Sequence, residues 1–356
     1  MRKPLGDLHF VEFASPGTPQ GVRIAIALAG RIAADLGARV SRVQDGADPI
    51  ATAPPFVQER SALHAFLNAG KQLVDVREGS ALRAGADVCL APETADPSPS
   101  NARVEVRIAM LGAGVPPETP ATEFTVLALS GLLNLVGDPD REPLRLAGHQ
   151  AAYAAGLAAF TGAMGALSAL SAQPASGREL VHVSLLDAAV WLNWKNVASA
   201  SAGEEAPSRG GRAADWPVIR CKDGWVALVY QNADWLRLCA LAGNDPRLLD
   251  PALMQAAGRA ERTEEIACYF EEAWKDLTRV ELERMFMAAR VPAGPVWSPH
   301  ELARAGHYGA RGVMQGLSLD AQGRTAQFPR LPVRWNGEAF AAGGFPRPVQ
   351  DRKEAA

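Results

Sequence analysis

The chain reads as an α/β protein with a doubly wound parallel sheet and a second, smaller unit inserted into it. Two observations predict this. The first third alternates strand and helix patterns joined by short turns, which is how parallel sheets are built. A polar stretch rich in Gly and Pro over 201–217 then separates this part from a hairpin followed by helices, after which the chain returns to the first domain. The expected division is 1–200 for the first part of the large domain, 201–217 as linker, 218–298 for the small α+β domain, and 299–356 for the return and tail.

The elements follow in order. Leu8 to Ala14 alternates apolar and polar residues after a Gly-Asp turn, as a strand does, and Val22 to Leu36 has helical periodicity ending at Gly37. Arg39 to Gln44 is a second strand, so the three form a right-handed parallel βαβ unit. Strands over Gln72 to Val76, Asp87 to Leu90 and Val104 to Met110, with a short helix near Gly79 to Ala84, continue the alternation. Helices are expected over Glu123 to Leu135 and Gln150 to Leu170, the second so crowded with Ala and Gly that it must pack closely on a neighbour. In the second unit, Val218 to Cys221 and Trp225 to Tyr230 flank Lys222-Asp223-Gly224 as a hairpin. Helices are then expected over Trp235 to Ala242, Thr263 to Leu277 and Arg279 to Ala289.

Composition narrows the function. In 356 residues, 48% hydrophobic and 21% charged, there is material for a full core, and a net charge of -3 with no Lys/Arg run argues against a nucleic-acid partner. Cys89, Cys221, Cys239 and Cys268 lack metal or redox spacing and are read as small core residues. The N-terminus has no apolar signal core, and no uninterrupted apolar run reaches the about 18 residues of a membrane span. A cytoplasmic location without membrane contact is expected. Pro16 to Gly21 places Pro19 where a G-x-G-x-x-G fingerprint needs its second glycine, which disfavours a dinucleotide cofactor. His182, Ser184 and Asp187 lie too close on one element to converge as a triad. His300 and His307 have no third ligand nearby, so no metal site is expected. Trp191, Trp194 and Trp235 are read as core or interface anchors.

Several motifs, taken together, carry a resemblance: Ala33-Ala-Asp-Leu-Gly-Ala-Arg-Val40, Asn68-Ala-Gly-Lys71, Leu129-Ser-Gly-Leu-Leu-Asn-Leu-Val-Gly137 with Pro143-Leu-Arg145, Val183-Ser-Leu-Leu-Asp-Ala188, and Val291-Pro-Ala-Gly-Pro-Val296. In this order, over nearly the whole chain, they resemble the class III CoA-transferases, the family of formyl-CoA transferase, carnitine CoA-transferase and 2-methylacyl-CoA racemase. The resemblance implies a Rossmann-like large domain interrupted by a smaller one, two chains interlocked as rings in a homodimer, and coenzyme A bound as a thioester substrate. It places Asn68, Gly70 and Lys71 near the CoA nucleotide, where a lysine offers a point charge and a glycine lets backbone amides approach a phosphate. Arg23 and Arg39 flank the first βαβ unit and are further candidates for phosphates. The family's frequent glutamate is replaced by Gln44.

The resemblance also exposes a departure. Family transferases carry a nucleophilic aspartate four residues before a glycine; here Gly148-His-Gln-Ala-Ala-Tyr-Ala-Ala-Gly156 puts Ala152 in its place, and no Asp or Glu lies between Arg145 and Arg178. A methyl group forms neither an acyl anhydride nor a thioester. His149 at the helix entrance is a candidate acid or base, Gln150 a candidate to orient the thioester oxygen, and Glu123 a carboxylate able to reach the pocket. Asp138, Asp140 and Glu142 are read as turn formers. The family's glycine-rich loop over the site corresponds to Gln231-Asn-Ala-Asp-Trp235, which lacks glycine. Three functions follow: CoA transfer between an acyl-CoA and a carboxylate acceptor by altered chemistry, a silent CoA-binding or scaffolding subunit paired in a heteromer with an aspartate-bearing relative, and α-proton chemistry as in the racemase.

Overall fold

The computed structural model describes residues 3–93, 100–112, 114–116, 118–173, 177–203, 209, 216–302 and 304–348. The chain separates into two compact units, one of residues 1–134, 145–206 and 306–356, the other of 135–144 and 207–305. The second unit thus also takes the turn-rich segment 135–144, which the sequence reading places in the large domain with the rest of 1–200.

The first unit is built on β1 (His9–Phe13), α1 (Gln20–Asp35), β2 (Arg39–Gln44), α2 (Ala62–Asn68), β3 (Gln72–Asp75), α3 (Val76–Ala84), β4 (Val88–Pro92), β5 (Val104–Ala109), α4 (Glu123–Leu129), α5 (Gln150–Ala172), β6 (Glu179–Ser184), α6 (Leu185–Leu192) and α7 (Trp194–Ser201). The six strands lie parallel in the order β3-β2-β1-β4-β5-β6, and Arg347–Pro348 adds a short parallel edge beside β3. Order reverses between β1 and β4, which is the switch point where ligands enter such sheets, at the carboxyl ends of the strands.

Both faces of the sheet are buried, and the period of two sorts the side chains. Phe10, Val40, Leu90 and Val106 pack beneath α1 and α5, whereas Val11, Val43, Cys89 and Ala91 form a second layer with Leu82 of α3. Each large apolar side chain fully buried this way stabilises the fold by about 1.5–3 kcal/mol. α5 is long and apolar enough by composition to cross a bilayer; here Ala151, Ala155, Ala159 and Ala163 are buried against α1 and the sheet. α4 stops at Ser130, short of the expected Leu135, because Gly131 turns to φ +76° and a single 3-10 turn, Leu132–Leu135, follows.

The second unit holds an antiparallel sheet of β7 (Val218–Cys221), β8 (Gly224–Leu228) and β9 (Ala293–Pro295), with α8 (Trp235–Leu241), α9 (Thr263–Trp274) and α10 (Arg279–Ala289). Gly224 pairs with Cys221, so the hairpin loop is Lys222-Asp223 and the glycine opens the second strand. The core is aromatic: Phe270 and Trp274 stack at 4.7 Å, and Phe286 meets Trp274 edge-on at 5.2 Å. The buried indole N–H groups of Trp235 and Trp274 donate to the carbonyls of Leu248 and Leu241. One cysteine departs from expectation: Cys268 is exposed on α9, while Cys89, Cys221 and Cys239 are buried.

Candidate functional site

The four orphan N–H groups at the start of an α-helix need partners. His149, the residue before α5, supplies no side-chain cap. The cap comes from another element: Glu123, first residue of α4, accepts from the Ala152 N–H through Oε1 at 3.1 Å and binds His149 Nδ1 through Oε2 at 2.7 Å. A carboxylate is the favoured occupant there, because the helix dipole presents its positive end. α4 is in turn anchored by a reciprocal capping box between Thr122 and Thr125.

The dyad sits beside the switch-point crevice. A Cβ placed on Gly21, in the first turn of α1, would lie 3.9 Å from Glu123 Cβ and 3.5 Å from Met110 Sδ. The crevice itself is lined by Val22, Ile108, Met110, Gly112 and Thr119 among others. Glu123 is buried and His149 about one-fifth exposed at its side chain. Among the described residues the His149 ring makes one hydrogen bond, through Nδ1. Tyr153, one turn on, meets the His149 ring edge-on at 6.2 Å; burial, and secondarily the Glu123 charge, hold its phenol above the usual tyrosine range.

The structure therefore brings three candidates together: Glu123, His149 and the backbone of Ala152. The Ala152 methyl is wholly buried. Gln150 is turned elsewhere, its amide donating to the Ala147 carbonyl at 2.8 Å. Ser184 caps α6 through the Asp187 N–H, and His182 pairs with Glu93 at 3.1 Å.

The candidates for the nucleotide are dispersed. Lys71 is buried under α1, with Nζ 2.5 Å from Glu12 Oε1 and donating to the Ala27 carbonyl at 2.7 Å. An ammonium so engaged reaches a phosphate only if that pair opens. Asn68 is also fully buried, accepting from Arg42 and donating to the His64 carbonyl. Gly70, at φ +79°, lies against Gly343 and donates to the Gly344 carbonyl, a close backbone approach that needs both glycines. Arg39 is exposed where β2 begins, at the opposite end of the strands from the crevice. Arg23 lies at the carboxyl end, where its Nη2 donates to the Ser15 carbonyl at 2.6 Å while its buried Nε has no hydrogen-bond partner among the described residues.

Sequence reasoning missed Glu12, Arg42, Asp48 and Tyr153. Arg42 donates to Asp48 at 2.6 Å, and Asp48 lies 3.9 Å from Arg23, so one carboxylate holds both guanidinium groups. A charged residue inside an otherwise buried strand, Arg42 between Ser41 and Val43, was the available signal. For Tyr153 it was the i,i+4 spacing from His149.

The fold has known counterparts. At 97% coverage of this chain and 96% of theirs, the chain matches a CaiB/BaiF family protein from Brucella suis (22% identity, TM-score 0.82) and Rv3272 from Mycobacterium tuberculosis in an orthorhombic form (21%, 0.75). No curated protein matches. Residues 104–351, more than half of the chain, match the model of CoA-transferase family III, and the chain belongs to that family.

Proposed function

We propose that this protein acts on an acyl-CoA thioester and passes CoA to a carboxylate acceptor, with the Glu123–His149 dyad replacing the chemistry of the missing aspartate. The observation that carries this is the 2.7 Å bond from Glu123 to His149 Nδ1, which leaves Nε2 for the substrate. Arg23, whose buried Nε has no hydrogen-bond partner among the described residues, supports anionic ligand contact near the carboxyl end of the sheet.

In this mechanism the acceptor carboxylate attacks the thioester carbonyl, the C–S bond breaks, and a mixed anhydride forms. The nucleophile belongs to the substrate. His149 Nε2–H protonates the departing sulfur and recovers the proton as the CoA thiol attacks the acceptor's carbonyl, releasing the donor acid. Glu123 fixes the orientation of the ring, as a carboxylate does in acid–base pairs. His149→Ala should lower the rate of CoA transfer by about 10²–10⁴-fold, and Glu123→Gln should lower it too, measured by chromatography of the two thioesters. Equal rates in wild type and His149→Ala would overturn the assignment.

A homodimer is part of this proposal, in the interlocked arrangement the family implies. Its support is the exposure of Trp191 (73%) and Trp194 (59%) on α6 and α7. A second reading, a silent subunit beside an aspartate-bearing relative, is favoured by the wholly buried Ala152 methyl. Co-purification of such a relative, with no transfer by the isolated chain, would select it.

A further inference from the structure

Beyond the crevice, the first unit carries an apolar groove of about 500 Å³, within the size range of small-molecule sites. Its walls are Leu28 and Ile32 of α1, Phe66 of α2, Tyr153 and Leu157 of α5, and the segment 328–332. Three charged residues line it: Arg31 Nε donates to Asp35 at 2.9 Å with its guanidinium over the Phe66 ring at 5.1 Å, and Arg330 Nε donates to the Met314 carbonyl at 3.5 Å. The groove thus offers mainly hydrocarbon contact, with the Arg330 guanidinium at the 328–332 wall. It begins at Tyr153, whose ring stands edge-on to that of His149 with the centroids 6.2 Å apart, so it opens near the dyad.

We infer that this groove receives the acyl portion of the thioester, and that the acyl group is an apolar chain of several carbons rather than a small polar acid. The inference rests on the acyl-CoA reading above. An acyl carbon held at His149 has Tyr153 as its next neighbour and Leu157 one turn further along the same helix face. A small acid would leave the apolar walls facing water, whereas each methylene buried there adds affinity. A macromolecular occupant, such as a second copy, would have to enter beside the dyad and is resolved by the same experiment.

The test is calorimetric titration of the full chain with CoA, acetyl-CoA, hexanoyl-CoA and decanoyl-CoA. Affinity should rise by about three- to fourfold per added methylene until the groove is full. Leu157 is 54% exposed, so Leu157→Asp leaves the core untouched; it should abolish the chain-length gain and keep the affinity for CoA itself. CoA binding with no dependence on chain length would overturn the groove and leave the acyl-CoA reading standing. Absence of binding by all four compounds would overturn both. Sedimentation of the same variant completes the test: conversion of a dimer to a monomer by Leu157→Asp would assign the groove to the second copy and refute the inference.

Discussion

Lys71 and Glu12 face each other beneath α1, with side chains 0% and 2% exposed, and such a pair is costly to break from one side. Burial pushes the Lys71 ammonium down to about 8 and the Glu12 carboxyl up, while their mutual attraction opposes both shifts. Lys71→Met, which strands the carboxylate, should cost about 3–5 kcal/mol, and Glu12→Leu combined with Lys71→Met should recover most of it, since an apolar pair is tolerated there. Urea unfolding measures both; additive losses would contradict the pairing. The pH dependence follows. The folded lysine titrates near 8 and the unfolded one near about 10.4, so between these values the unfolded chain holds more protons and stability rises with pH through this group. The Lys71→Met variant should lack that rise. Lys71 was legible in the sequence as a cation at a glycine turn, but its partner was not. Glu12 lies on β1, and only the parallel register that sets β1, β2 and β3 side by side brings the two together.

At the scale of elements, α5 decides the site because it must lie close to α1 and present its N-terminus beside α4. Gly156 permits the approach: a Cβ there would lie 2.9 Å from the Ala25 carbonyl oxygen and 3.0 Å from Leu28 Cβ. Gly156→Ala should destabilise the fold by roughly 1–2 kcal/mol, because the clash with a fixed backbone oxygen exceeds the better helix propensity of alanine. A lowered Tm would show it; an unchanged or raised Tm would mean the two helices have room to spare. The Ala-rich sequence announced this close packing, and periodicity located α1 and α5 within a few residues. The cap by Glu123 was hidden, because a helix pattern says which N–H groups need a partner and not which distant side chain supplies it.

At the scale of the molecule, two compact units share one chain, and α6 and α7 leave tryptophans in water in the single chain. An exposed aromatic cluster of this size is unusual for a monomer. Sedimentation should show a dimer, and Trp191→Asp with Trp194→Asp should dissociate it; a monomeric wild type would contradict the proposed assembly. The alternation of strands and helices was enough to read a parallel sheet, and the Gly- and Pro-rich stretch marked the passage to the second unit. The share of 135–144 in that unit was not readable, since its turn-forming residues fit a loop in either unit. The central proposal, that the acceptor's own carboxylate is the nucleophile, is tested most directly by isotope. With an acceptor labelled by ¹⁸O in both carboxylate oxygens, a single turnover in which it attacks the thioester and CoA then attacks the acceptor's carbonyl delivers one ¹⁸O to the released donor acid, detected by mass spectrometry. One label in that acid is the predicted result; label found in a carboxylate of the protein, with none in the released acid, would contradict the account.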